Sequence, residues 1–209
     1  EYFAADYGRE AWPSPLGADS SGYWWGGGAR KIYRFDGDHL KEYDSPLDSG
    51  LGIGAIDRRD RIWKPGLVAD QCTVARFDGA SWELWGSEDG VPADQNWRWL
   101  TVAFDEQCRP YVLAFHMEYR DSGILHFDGI RWQEMPPPAF AGFELCDIAS
   151  DERGRLFAFG SLDGASAVFR LDDDAWEGPI TITGPVTSSS VSEIGIDHED
   201  GVWFACNDS

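Results

Sequence analysis

The chain has 209 residues, with 37 Asp and Glu against 17 Lys and Arg, for a formal charge of −20. That length allows one domain or at most two small ones, and 43% hydrophobic with 14% aromatic residues excludes a disordered chain. The acidic balance argues against nucleic acid or an anionic membrane surface as partner, and no apolar run reaches the roughly 18–20 residues of a membrane span, so no membrane insertion is expected.

The elements follow from two repeated patterns. In the first, an Asp is followed six residues later by an aromatic: Asp19 to Trp25, Asp57 to Trp63, Asp105 to Tyr111, Asp151 to Phe157 and Asp197 to Trp203. Gly or Ala stands two residues before each Asp, and turn-like residues fill the interval. In the second, an apolar residue leads into Asp-Gly, with a Trp five positions after the apolar residue. It runs from Phe77 to Trp82 and Phe127 to Trp132 and, in weaker form, from Leu171 to Trp176 and Phe35 to Leu40. Alternating residues precede it, which predicts a strand, and Asp-Gly predicts a hairpin.

Each unit therefore reads strand, Asp turn, strand, loop, strand, Asp-Gly turn, strand. That is a four-stranded antiparallel meander of the size of a propeller blade. No segment keeps a 3.6-residue apolar period, so almost no helix is expected. The predicted fold is an all-β, single-domain β-propeller over residues 1–209, with units at about 14–46, 51–88, 98–138 and 143–179. A fifth unit, 190–209, holds a first half alone. Residues 1–13 are expected to complete it, because Tyr7 and Trp12 echo the second pattern. The competing reading is a piece of a larger propeller. The first residue is Glu1, so something upstream is expected to have been removed.

Runs such as IDRRDRIW, SDERGRLFAFG and IDHEDGVWFAC, followed by VARFDGASWELW or ILHFDGIRWQEM, resemble the propeller repeats of bacterial two-component-regulator sensor proteins. The resemblance covers nearly the whole chain and implies a secreted, periplasmic or cell-surface module for sensing or ligand binding. Five blades of this length are also similar in size to the sugar-binding propellers of the tachylectin type.

Two loops beside the third unit stand out. Residues 86–99 end in Trp97 and Trp99, which lie outside the repeat, and 114–123 carry Phe115, His116, Tyr119 and Arg120. Exposed aromatics with a guanidinium suit stacking on a sugar or gripping a peptide, so these six are the candidate ligand-binding residues and a carbohydrate or a protein is the expected partner. The alternative for Trp97 and Trp99 is that they open the inner strand and pack on the neighbouring blade. Trp25, Trp63, Trp82, Trp132, Trp176 and Trp203 hold repeat positions and are expected to fill the spaces between blades.

A second class of function is a small glycan-active enzyme. Asp147 and Glu193 stand four residues before consecutive repeat Asp residues, and paired carboxylates serve glycoside hydrolysis. A third is a structural subunit of an extracellular assembly. Arg34, Arg76, His126 and Arg170 precede the apolar residue of the second pattern and are expected to contact the Asp of an adjoining turn. Scattered histidines and the absence of CxxC spacing give no metal site, and no cofactor is expected. Among the four cysteines Cys108 is expected to be unpaired, with Cys146 and Cys206 best placed for a bridge.

Overall fold

A computed structural model describes residues 14–28, 30–50, 54–93, 96–118, 121–172, 175–180, 191–196 and 201–206. Among these the regular structure is antiparallel sheet, and the helical content is one 3-10 turn at Ser87–Asp89. Sheet 1 takes β1 (Ser14–Ala18), β2 (Trp24–Gly27), β3 (Lys31–Phe35) and β4 (Leu40–Asp44) in sequential order. In sheet 2, β5 (Ser49–Gly50) and β6 (Ala55–Ile56) both pair with β7 (Ile62–Val68), followed by β8 (Gln71–Phe77) and β9 (Trp82–Trp85). Sheet 3 is β10 (Trp97–Phe104), β11 (Pro110–His116), β12 (Asp121–Phe127) and β13 (Trp132–Met135). Sheet 4 is β14 (Phe143–Ser150), β15 (Leu156–Leu162), β16 (Ala165–Asp172) and β17 (Ala175–Ile180). A two-stranded sheet, β18 (Val191–Ile196) with β19 (Val202–Cys206), ends the series.

The first strands of successive sheets are neighbours: β1 beside β6, β6 beside β10, β10 beside β14, β14 beside β18. Among the described residues neither β18 nor β19 pairs with sheet 1. The expected closing segment, with Tyr7 and Trp12, lies outside them.

The repeated Asp builds the first turn of each sheet. One carboxylate oxygen of Asp57 accepts the N–H groups of Arg59 and Arg61, and the other accepts the Arg61 guanidinium and the Trp63 indole N–H. Asp19, Asp105 and Asp151 accept the same two backbone N–H groups. The third residue after the Asp takes a left-handed backbone: Gly22, Asp60, Cys108 and Gly154 have φ of 82°, 60°, 61° and 81°. This explains the Gly and Asp content of these turns, since such residues tolerate that region. Burial pushes the Asp151 carboxyl up, but the Arg155 N–H, the Arg155 guanidinium and the Arg153 N–H outweigh it and hold it below the usual range.

The turns are also tied to one another. Ser20 donates through its N–H and its hydroxyl to Asp60, and Arg58 reaches the carbonyls of Asp105 and Glu152 in the next two sheets.

Large aromatics fill the spaces between sheets. Trp25 of sheet 1 packs with Phe77 and Trp82 of sheet 2, and Trp63 of sheet 2 with Phe127 and Trp132 of sheet 3. Tyr111 of sheet 3 shares a cluster with Leu171 and Trp176 of sheet 4. In each case the aromatic six residues after the Asp packs on the sheet that follows. Such aromatic pairs contribute roughly 0.5–1.5 kcal/mol beyond area burial. Trp203 departs from the expected filling role and is 67% exposed. It stands on β19, which among the described residues pairs with β18 and no third strand.

Of the basic residues before the second pattern, Arg34 meets the expected partner, 3.9 Å from the turn residue Asp19, and two others do not. Arg76 and Arg170 pair with Glu83 and Glu177 on the adjacent fourth strand. His126 stacks on Tyr111 with ring centroids 5.5 Å apart. The register explains this: Arg34, Arg76, His126 and Arg170 lie directly opposite Trp25, Trp63, Tyr111 and Phe157. The turn Asp is satisfied instead by the Arg four residues later, as at Arg61, Arg109 and Arg155.

Cys146 is a free, exposed thiol, which overturns the expected bridge to Cys206. Its sulfur lies 3.6 Å from the Glu144 carbonyl, turned to its own strand. Burial and the Glu144 carboxylate push the thiol up. Cys72 and Cys108 are buried and form no disulfide.

Candidate functional site

The connection from sheet 2 to sheet 3 departs from the repeat. After β9 the chain makes the Ser87–Asp89 turn, in which the Gly86 carbonyl accepts the N–H groups of Asp89 and Val91. Gly90 then sits against sheet 3: a Cβ there would lie 2.2 Å from the Trp132 carbonyl oxygen, and its φ is +92°. Val91 is buried in the aromatic cluster between sheets 2 and 3.

This excursion costs a bond that the repeat makes elsewhere. Trp82 donates its indole N–H to the carbonyl of Asp44 at 2.8 Å, and Trp176 donates to that of Pro136 at 3.0 Å. Each acceptor lies four residues after the second-pattern residue of the preceding unit, Leu40 or Trp132. The equivalent acceptor for Trp132 is Gly86, four residues after Trp82, whose carbonyl already serves the 3-10 turn. The Trp132 indole N–H is buried and unpartnered.

The connection also walls a small recess lined by Pro92, Trp97, Ala114, Gly123, Leu125 and Glu134. Trp97 is half-buried and packs against the cluster between sheets 2 and 3. Its ring stands edge-on to the buried His116, with centroids 5.0 Å apart and planes at 87°. It lies over Gly123, where a Cβ would sit 3.4 Å from the indole Cη2. Glycine at that place on β12 leaves the indole room.

Of the six candidate ligand-binding residues, the structure brings Trp97 and His116 together. Their Cα atoms are directly paired across β10 and β11. Phe115 is half-buried and, next to His116 on one strand, occupies the opposite face of the sheet, where it cannot share this recess. Tyr119 and Arg120 lie outside the described residues, as does the Trp99 side chain. Pro92, Gly123, Leu125 and Glu134 complete the recess and carry none of the aromatic signal that draws attention to Trp97.

The carboxylate pair of the enzyme reading occupies matching backbone positions. β14 and β18 are adjacent, and each has a register shift just before the acidic residue. Asp147 lies opposite Phe159 and Glu193 opposite Ala205. Asp147 is half-buried and accepts the Ile148 N–H at 2.9 Å. The Glu193 side chain lies outside the described ones. Among the described residues no three His, Cys, Asp or Glu side chains converge as metal ligands, and no helix is long and apolar enough to cross a membrane.

No protein-family model matches the chain, and no curated protein matches it in sequence. Solved structures do match it. A catalytically inactive virginiamycin B lyase from Staphylococcus aureus with quinupristin superposes with a TM-score of 0.65 at 15% identity, covering 91% of this chain and 62% of that one. YCF48 bound to D1 peptide gives 0.61 at 14% identity, covering 94% and 63%. A protein described as a gluconolactonase gives 0.61 at 12%, covering 93% and 71%. This chain therefore spans less than two thirds of the length of the first two. These structures are β-propellers, and at such identities the likeness concerns fold alone. Together with the successive four-stranded antiparallel sheets, it makes this chain a β-propeller repeat protein.

Proposed function

We propose that the chain is a secreted, periplasmic or cell-surface binding or sensing module without catalytic activity, taking a carbohydrate or a protein at the recess beside sheet 3. The observation that carries this reading is the recess itself. An aromatic ring borders it, a rigid sheet holds that ring, and the connection forming its wall forgoes a buried hydrogen bond of the repeat. Binding residues on irregular connections above a regular scaffold are the common arrangement. One similar structure, YCF48, is itself bound to a peptide. In the same reading the propeller has five blades of the two-component-regulator type, with residues 1–13 completing the sheet of β18 and β19.

A glycan array and a peptide array probed with the purified protein test the binding role. A ligand found there should bind Trp97→Ala about tenfold more weakly or worse, as for a central aromatic contact. Unchanged affinity in that variant would remove the recess from the reading. The matching positions of Asp147 and Glu193 on adjacent bulged strands favour one second reading, glycan hydrolysis. It requires turnover of a glycan that stops in Glu193→Gln.

A further inference from the structure

Four glutamates stand on the fourth strands of the sheets: Glu42, Glu83, Glu134 and Glu177. Three are answered within their own sheet, Glu42 by Lys31, Glu83 by Arg76 and Glu177 by Arg170. Among the described residues Glu134 has no hydrogen-bond or ion-pair partner, and it lines the recess beneath Trp97.

Sheet 1 shows what is missing. Glu42 lies opposite Tyr33 and Glu134 lies opposite Leu125, so the two glutamates occupy the same repeat position. Lys31, two residues before Tyr33, supplies the ammonium to Glu42. Two residues before Leu125 stands Gly123. The lysine of sheet 1 is thus a glycine in sheet 3, and the Trp97 ring and the recess lie where its stem would run.

We propose that the recess receives a basic side chain of a protein partner, its aliphatic stem against Trp97 and Leu125 and its cationic head on the Glu134 carboxylate. This rests on the reading of the recess as the binding site and narrows its ligand. The walls Pro92, Trp97, Ala114 and Leu125 are apolar and the rim is anionic, which fits an apolar stem with a charged tip. An indole adds attraction for a cation over its face. The recess has a cavity volume of about 30 Å³, far below the roughly 300–1,000 Å³ of sites that enclose a drug-sized ligand, so it suits part of one side chain and not a sugar ring. The charge of −20 draws a basic partner in, and added salt weakens that draw.

The test is an NMR titration of the whole chain with N-acetylated, C-amidated Gly-Gly-Lys-Gly-Gly, following the Trp97 indole N–H assigned against Trp97→Phe. The leucine and glutamate analogues of the peptide serve as comparisons. The lysine peptide should shift that resonance saturably and the other two should not. Glu134→Gln should weaken binding roughly fivefold, as for loss of a partly exposed ion pair. Glu152→Gln, which removes one charge in the β14–β15 turn, should leave it unchanged. Equal binding of the leucine peptide, or full affinity in Glu134→Gln, overturns the basic occupant. If a glycan or the leucine peptide shifts Trp97 and the lysine peptide does not, the recess remains the binding site and the basic side chain falls. If the lysine peptide binds without moving Trp97, both fall.

Discussion

At the scale of single residues, the repeat supplies its own controls. Trp82, Trp132 and Trp176 hold one position in three sheets, yet Trp132 alone of the three lacks a hydrogen bond for its indole. Phenylalanine removes the indole N–H and keeps an aromatic ring. Trp132→Phe should therefore cost less stability than Trp82→Phe once the difference in burial is allowed for. The bond at stake is about 1 kcal/mol, with a further desolvation gain when a buried orphan donor is removed. Urea unfolding of the two variants reads the difference directly. Lys31 and Gly123 form a second such pair, in which one substitution between equivalent positions turns an internal ion pair into an open carboxylate beside an indole.

At the scale of elements, the connection after β9 is the part that breaks the pattern, and its seat on sheet 3 is narrow. Gly79 and Gly90 both have positive φ, 98° and 92°, but a Cβ at Gly79 meets open space while one at Gly90 meets the Trp132 carbonyl. Gly79→Ala should thus carry backbone strain of roughly 1–2 kcal/mol alone. Gly90→Ala should carry that strain and a displaced connection as well. It should unfold at lower urea than Gly79→Ala and should also perturb the Trp97 indole resonance, which Gly79→Ala leaves in place. The register shifts in β1, β10, β14 and β18 belong to the same scale. Each increases local twist in the innermost strand, where neighbouring sheets come together.

At the scale of the molecule, the sheets are joined by aromatics between them and by turn-to-turn bonds at one end, and a buried cation reaches from sheet 2 to the loop after β2. Lys64 of β7 is 3% exposed and donates to the Gly28 carbonyl. Burial lowers its pKa to about 8. A lysine whose folded pKa is depressed opposes folding while it is charged, and the penalty is complete below the folded value. It fades as pH rises from about 8 toward the unfolded value of roughly 10.4. Lys64→Met should accordingly raise the melting temperature at pH 7, and the gain should shrink between pH 8 and 10. Each kcal/mol is worth roughly 2–4 °C in a chain of this size. A gain that stays constant across that range would mean the charge at Lys64 is not what burial penalises.

Much of this architecture is legible in the order of residues. The Asp and its aromatic six places later are local devices, because a carboxylate that accepts the next turn's N–H groups needs nothing beyond its own segment. The strands, the turns and the filling role of Trp25, Trp63, Trp82 and Trp132 follow from that spacing. Even Glu134 is visible once the repeats are aligned, since KIYRF in sheet 1 stands against GILHF in sheet 3. What spacing cannot rank is which side chains meet across sheets. Phe115 and His116 adjoin in sequence and part in space because a strand alternates faces. Arg76 and Arg170 chose a glutamate across the sheet over the Asp of a turn because register set the distances. The recess has the same origin. It exists because a 3-10 turn took the Gly86 carbonyl, Gly90 approached Trp132, and Trp97 came down over a glycine, and those are contacts between segments that packing alone brings together.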